Sequence, residues 1–392
     1  MTEELEPVAP LDLAAQRARL GDRIERAIAR VVEHGRFVMG PEVLELEERL
    51  AAFCGAAHAV SCSSGTDALL LALMAWGVGP GDAVFVPAFT FAASAEAIVL
   101  AGATPVFVDV DPVTFNLDLA SLDAAVSADV GLRPAGVIAV DLFGQPADYD
   151  AIRALAGEHG IWVLADAAQS FGSTLHGRGA GTYADAVATS FFPTKPLGGY
   201  GDGGAVFTAD AGMADRLRSH RVHGQGEHAY DHVRIGITGR LDTIQAAVLL
   251  QKLDILGEEI EARQRLADRY SAALADMAVV PVIDPRATSA WAQYTVQVDC
   301  RDAVATRMAA GGVPTAVFYP KPLHRQPAYA GLPVAPGGLP VAEVVSQRVL
   351  SLPVHPYLTE GAQGRVIDAL RRAVVELRTA GGSVRASGRT GP

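Results

Sequence analysis

Six short apolar runs, each set apart from the next by a loop or a stretch with helical spacing, restrict this chain to a narrow set of folds. Ala83–Pro87, Pro105–Val110, Gly136–Leu142, Ile161–Asp166, Asp185–Phe191 and Gly204–Thr208 read as buried strands. Ser94–Ala101, Asp148–His159 and the segment after Thr66 read as helices among them. Alternation of this kind predicts a layered α/β domain around a largely parallel central sheet. Ligands of such sheets bind at the carboxyl ends of the strands, on the loops that lead into helices.

The flanks are more helical. Leu20, Ile24, Ala27, Ile28, Val31 and Val32 recur at helical spacing and predict a helix over 11–34. A second helix follows Gly40, with Pro41 in its first turn and Gly55 as its stop. Residues 241–276 predict a long helical stretch, broken near Gly257, that links a large domain (1–256) to a smaller α+β domain (257–378). The smaller domain has strand-like Tyr294–Val298 and Thr315–Phe318 and helices near 301–310, 342–350 and 360–378. The Gly-, Ser- and Arg-rich end, 379–392, is expected to be disordered.

Composition removes several classes of partner. Of 392 residues, 50% are apolar and 19% charged, and the formal net charge is -12 with no basic run. Nucleic acid and anionic membranes are therefore not expected as partners. Cys54, Cys62 and Cys300 are sparse and form no CxxC pair, so neither a zinc site nor a disulfide framework is expected. The first residues are acidic where a secretory leader would be basic. The greasiest stretch, Val84–Val110, is interrupted by Pro87, Glu96, Gly102, Pro105 and Asp109, too often for a membrane span. A cytoplasmic location is the expectation.

Four motifs fall at predicted strand ends. Lys195 lies in Ser190-Phe191-Phe192-Pro193-Thr194-Lys195-Pro196-Leu197-Gly198-Gly199, enclosed by aromatics, prolines and glycines. Desolvation there disfavours the ammonium, and a neutral lysine amine can form a Schiff base with an aldehyde. Ile161–Asp166 is an apolar strand ending in an aspartate, followed by Gln169. A carboxylate so placed needs a partner, and a protonated pyridine nitrogen would serve. Ser61-Cys62-Ser63-Ser64-Gly65-Thr66-Asp67 precedes an apolar helix, whose free first-turn N–H groups suit a phosphate. Pro87-Ala88-Phe89-Thr90-Phe91 follows a strand and offers an aromatic to stack on a flat ring. Together they supply each need of pyridoxal 5'-phosphate once.

With these motifs the chain resembles the DegT/DnrJ/EryC1/StrS family of sugar aminotransferases, within the fold-type I pyridoxal-phosphate enzymes, over roughly 10–375. The resemblance implies that Lys195 holds the cofactor and later moves the proton, and that Asp166 pairs with the ring nitrogen. It implies that Gln169 lies by the ring's phenolic oxygen, that Ser64, Gly65, Thr66 and Ser190 bind the phosphate, and that Phe91 stacks on the ring. It also implies L-glutamate as amino donor, a nucleotide-linked keto sugar as acceptor, and a homodimer in which residues around 223–240 reach the neighbouring site. His223, Arg240, Tyr319 and Lys321 are the implied candidates for substrate contact.

Two departures stand out. Where the family carries Gly-x-Asn-x-Arg-Leu-Asp, this chain has Gly236-Ile237-Thr238-Gly239-Arg240-Leu241-Asp242, so the shorter Thr238 stands in for a phosphate-binding Asn. Where aminotransferases of UDP-linked 3-keto hexuronic acids read Pro-Thr-Ala-Val-His-Tyr-Pro, this chain has Pro314-Thr315-Ala316-Val317-Phe318-Tyr319-Pro320. Phe318 offers no hydrogen bond, which points to a less polar sugar such as a dTDP- or UDP-linked keto-deoxyhexose aminated at C3 or C4, for a secondary metabolite. Amination of a keto-cyclitol, or a non-catalytic scaffold on the same fold, are the alternatives. Retention of both Lys195 and Asp166 argues against the scaffold.

Overall fold

Runs of Val, Ala and Phe with no charge between them cannot sit on an open surface, and here they assemble into one sheet. The computed structural model describes residues 8–129 and 131–387. Its strands are β1 (His58–Cys62), β2 (Asp82–Pro87), β3 (Thr104–Val108), β4 (Arg133–Val140) and β5 (Trp162–Asp166), a two-stranded hairpin of β6 (Thr174–Leu175) and β7 (Arg178–Gly179), then β8 (Ala186–Ser190), β9 (Gly204–Thr208), β10 (Tyr294–Gln297) and β11 (Val349–Leu352). The seven-stranded central sheet has the order β1-β9-β8-β5-β4-β2-β3. β3, β2, β4, β5 and β8 pair in parallel, whereas β9 pairs antiparallel with both β8 and β1. Two reversals return β1 to the direction of the parallel set. The carboxyl ends of β1, β2, β5 and β8 therefore share one edge.

The α/β class and mostly parallel sheet expected from the alternation are what is observed. β1 is an addition to the expected strands. Its Ser61 breaks the apolar pattern, and only the fold shows how that residue is satisfied. Glu47 accepts hydrogen bonds from Ser61 N (2.9 Å) and Ser61 Oγ (2.7 Å) and pairs with Arg221. Arg221 Nη1 also donates to Ser61 O at 2.7 Å. All three residues are buried. Removing one partner of a buried ion pair strands the other charge, at a cost of about 3–5 kcal/mol. Glu47→Ala is accordingly expected to lower the urea midpoint sharply without changing the slope; an unaltered midpoint would show that water, not this pair, satisfies Arg221.

The helices are α1 (Leu13–Leu20), α2 (Arg23–His34), α3 (Pro41–Cys54), α4 (Gly65–Trp76), α5 (Ala93–Leu100), α6 (Leu119–Ser127), α7 (Tyr149–His159), α8 (Ala211–His220), α9 (Thr243–Leu253), α10 (Leu256–Leu274), α11 (Arg301–Ala310), α12 (Pro340–Arg348) and α13 (Glu360–Ser387). The helix expected over 11–34 is two, because Gly21 takes φ 60° and ends α1. α3 begins at Pro41 and stops at a left-handed Gly55, as its sequence predicts. The break expected near Gly257 falls at Asp254–Ile255, where α9 gives way to α10. Thr315–Phe318 is not a strand and makes only one bridge, Ala316 to Ser351. The helix expected over 342–350 ends at Arg348, and the next four residues form β11. α13 runs to Ser387, into the tail expected to be disordered; 388–392 lie outside the described residues.

Among the described residues two large apolar cores result, besides small clusters between α2 and α9. One surrounds the sheet and takes in Leu256 and, from further along, Leu323, Tyr329 and Leu339. The other gathers Tyr270, Tyr294, Met308, Leu352 and Leu370, with Val8 from the start of the chain. No helix among the described residues is long and apolar enough to cross a membrane.

Candidate active site

The sheet register brings the motifs together. Cys62 pairs with Gly204, and Gly204 pairs with Ser190, so the ends of β1 and β8 lie one strand apart. Gly204 must be glycine there: a Cβ would stand 2.4 Å from Ser64 O. Just beyond, Ser64 caps α4 by accepting from Asp67 N at 3.0 Å. The Gly65 and Thr66 N–H groups belong to the first turn of α4, where no intrahelical acceptor exists. A Cβ on Gly65 would lie 2.6 Å from Ser190 Cβ. Hydroxyls and free amides thus converge on a cradle with no room for a side chain at 65, suited to a phosphate.

Asp166 ends β5 and is buried. Ser94 Oγ donates to it at 2.8 Å and Ala168 N at 3.2 Å. Burial pushes its carboxyl above the usual range, while those two bonds and the Lys195 charge pull the other way. Lys195 sits in the loop between β8 and β9. Burial pulls its ammonium below the usual lysine range, and Asp166 opposes the shift. Its Nζ donates no hydrogen bond to any described residue. A buried carboxylate and a desolvated, unbonded amine facing one cavity form an unfinished pair, with space between them for a ring carrying a proton-bearing nitrogen and an aldehyde. The residues present therefore fit pyridoxal phosphate.

The cavity is about 450 Å³ and is lined by Ser64, Gly65, Thr66, Asp166, Gln169, Ser190 and Lys195, with Phe91, Phe318 and Tyr319 on its aromatic side. Gln169 Oε1 accepts from Phe143 N at 2.6 Å and its Nε2 donates to Tyr319 Oη at 3.3 Å. Phe91 is 55% exposed, its ring 6.1 Å from that of Tyr319. Four expected site residues, His223, Thr238, Arg240 and Lys321, do not line this cavity. Thr238 Oγ1 is 2.8 Å from His223 Nε2, both on an exposed face, and Arg240 lies beside them in sequence. Lys321 is likewise exposed and does not line it.

Sequence reasoning missed two supports of the site. Ser94 lies 72 positions before Asp166, and nothing in α5 singles it out. Asp141, just past β4, accepts from Ser170 Oγ (2.5 Å), Tyr149 Oη (2.6 Å) and Ala147 N (2.9 Å), and its own N–H donates to Asp166 O. Burial pushes its carboxyl up to about 7. It braces the turn that carries Asp166 and Gln169.

Comparison with known proteins points the same way. The model of the DegT/DnrJ/EryC1/StrS aminotransferase family matches residues 18–371. UDP-2-acetamido-2-deoxy-3-oxo-D-glucuronate aminotransferase of Pseudomonas aeruginosa is 49% identical over 349 residues, 89% of this chain and 95% of that protein. dTDP-3-amino-3,4,6-trideoxy-alpha-D-glucose transaminase of Streptomyces venezuelae is 42% identical, over 92% of this chain and 94% of that protein. Among solved structures, S. venezuelae DesV in complex with a ketimine intermediate has a TM-score of 0.89 and 41% identity, covering 93% of this chain and 98% of that chain.

Proposed function

The chain belongs to the DegT/DnrJ/EryC1/StrS aminotransferase family and is a pyridoxal-phosphate-dependent nucleotide-sugar aminotransferase, and from that premise we propose that it moves an amino group from L-glutamate to the keto carbon of a dTDP- or UDP-linked keto-deoxysugar. The observation that carries the assignment of residues is the convergence of Lys195, Asp166 and the Ser64–Thr66 cradle on one cavity.

Bound pyridoxal phosphate supplies an electron sink for the carbon that loses its proton. The α4 amides, Ser64, Thr66 and Ser190 would hold the phosphate. Phe91 would offer the ring an aromatic face, and Gln169 a polar group, since both line the cavity. Asp166 keeps a proton on the ring nitrogen, a role its ionised form performs by charge. Lys195 would hold the cofactor through its amine and, once freed by the amino donor, its Nζ would act as the base and acid that moves the donor's α-proton. The same amine would move the proton when the keto sugar is the acceptor. Desolvation favours the neutral amine that this base work requires.

The sugar is read from the cavity's charges. Among its lining residues the one cation is Lys195, which is committed to the cofactor, and Phe318 stands on the wall. Among the described lining residues no uncommitted cation is left to pair with a C6 carboxylate, which favours a neutral deoxyhexose. Half-transamination of the pyridoxamine-phosphate form with a panel of dTDP- and UDP-linked keto sugars and keto-cyclitols tests this. Deoxysugars are expected to react fastest, and preference for a keto-cyclitol or a keto-hexuronate would overturn the reading. Phe318→His is expected to raise kcat/KM for a UDP-linked 3-keto hexuronate about tenfold or more relative to the deoxysugar, the worth of one hydrogen bond to a charged group. An unchanged ratio would remove Phe318 as a determinant.

A homodimer is part of the proposal. Phe37, Val38, Tyr230 and Ile235 are large and exposed, the last two almost fully. They favour a second copy as their cover, with His223, Thr238 and Arg240 turned to the neighbouring cavity. Light scattering of the purified protein checks the mass.

A further inference from the structure

Lys195, Lys252 and Lys321 are the only lysines of the chain, in which arginine supplies the other fixed cations. Lys252 is the one that is fully buried, 2% exposed, in α9. Lysine is rarely buried without a partner, because a desolvated ammonium costs several kcal/mol. Its partner here is not a carboxylate. Nζ donates to the carbonyl oxygen of Gly198 at 2.7 Å and lies 4.6 Å from the centre of the Tyr200 ring. Both acceptors belong to the loop that carries Lys195.

That loop is folded tightly on itself. Lys195 N donates to Phe192 O (2.9 Å) and Gly199 N to Phe191 O (2.7 Å). A Cβ at Gly198 would lie 2.4 Å from Pro193 O. Those bonds are local and set the loop's shape, not its position against the sheet. Phe191 and Leu197 anchor the loop in the core around the sheet, and its 198–200 segment is held from α9: Gln245 Oε1 accepts from Tyr200 N at 2.8 Å, and Lys252 reaches Gly198 two turns further on. We propose that Lys252 is a positioning residue for the transamination, fixing through Gly198 and Tyr200 the loop that aims Lys195 Nζ into the cavity. This rests on the assignment of Lys195 above.

The choice of lysine follows from the geometry. The Gly198 carbonyl and the Tyr200 ring both lie within reach of one Nζ, and a compact ammonium serves both. A guanidinium is planar and larger. Burial pulls the Lys252 ammonium down to about 8, and Glu259 opposes the shift. A misplacement of the reacting amine by about 1 Å costs roughly a hundredfold in rate.

The test uses the full chain and two variants. Lys252→Met removes charge and donor at similar volume; Lys252→Gln keeps a donor. In the cofactor-free protein, hydrogen exchange at Gly199 and Tyr200 is expected to quicken about tenfold or more in Lys252→Met, with β4 and β5 unchanged. With pyridoxal phosphate bound, the single-turnover rate with glutamate is expected to fall about a hundredfold, at little cost in glutamate KM, with Lys252→Gln between Met and wild type. If Lys252→Met fails to fold, Lys252→Gln carries the same two readouts. Exchange and rate both at the wild-type level would overturn the positioning role. A uniform rise in exchange across the sheet, with an unchanged turnover rate in the folded fraction, would also overturn it and leave a purely structural lysine. A wild-type protein that gains no visible band with pyridoxal phosphate would instead sink the assignment of Lys195.

Discussion

Lys195→Ala abolishes the visible absorbance that pyridoxal phosphate gives on binding the wild-type protein, and lowers transamination by about ten-thousand-fold. The size follows from two losses in one substitution. The covalent hold disappears, and so does the base that moves the proton. Neither loss is repaired by a neighbour, since no other lining residue of the cavity is a lysine or histidine. Stability is not expected to suffer. The Lys195 side chain makes no hydrogen bond to a described residue, and its removal relieves a desolvated charge. Spectral titration with pyridoxal phosphate, turnover with glutamate and a thermal melt of the cofactor-free protein check the three statements. A variant that keeps the band would contradict the assignment, and one that keeps its turnover would remove Lys195 as the base.

Asp166→Asn leaves a cavity of the same shape and loses about a hundred- to ten-thousand-fold in kcat, the cost of removing one partner from a buried charge pair. An amide cannot stabilise a proton on the ring nitrogen, so the electron sink is weakened while binding through the phosphate cradle persists. The effect should therefore fall on kcat far more than on the affinity for pyridoxal phosphate. The cofactor-free protein is expected to melt no lower than wild type. The amide oxygen can still accept from Ala168 N, the Ser94 hydroxyl can turn to accept from the new amide NH2, and a carboxylate that burial disfavours is gone. Stopped-flow half-reactions and a melting curve separate the two. A variant with wild-type kcat would show that Asp166 serves only to end β5 and support the turn after it.

Much of this site was legible because it sits where local signals are strong. Asp166 follows an unbroken apolar run, and Lys195 lies among Phe192, Pro193 and Pro196. The Ser64–Thr66 turn opens a helix that is apolar from its fourth residue, Ala68, onward. Less local features stayed hidden. β1 carries Ser61, whose partners Glu47 and Arg221 lie 14 and 160 positions away. Ser94 and Asp141 act on the Asp166 turn through hydrogen bonds that no spacing announces. Lys252 sits in Leu249-Leu250-Gln251-Lys252-Leu253, where a helix surface position is the ordinary expectation for lysine. His223, Thr238 and Arg240 show the converse. Resemblance marks them, yet His223 and Thr238 bond to each other on an exposed face, away from their own chain's cavity. Which residues meet across the sheet is set by register and by the β9 insertion, and register is decided by side chains far apart in sequence.

The central claim is that Lys195 is the residue that holds pyridoxal phosphate. Because the chain has three lysines, one measurement isolates it. The protein is loaded with pyridoxal phosphate, reduced with borohydride, digested and mapped by mass spectrometry. A reduced pyridoxyl group on the peptide that contains Lys195, and on neither Lys252 nor Lys321, is the predicted result. Label on either of those two lysines, or no label after full loading, would contradict it.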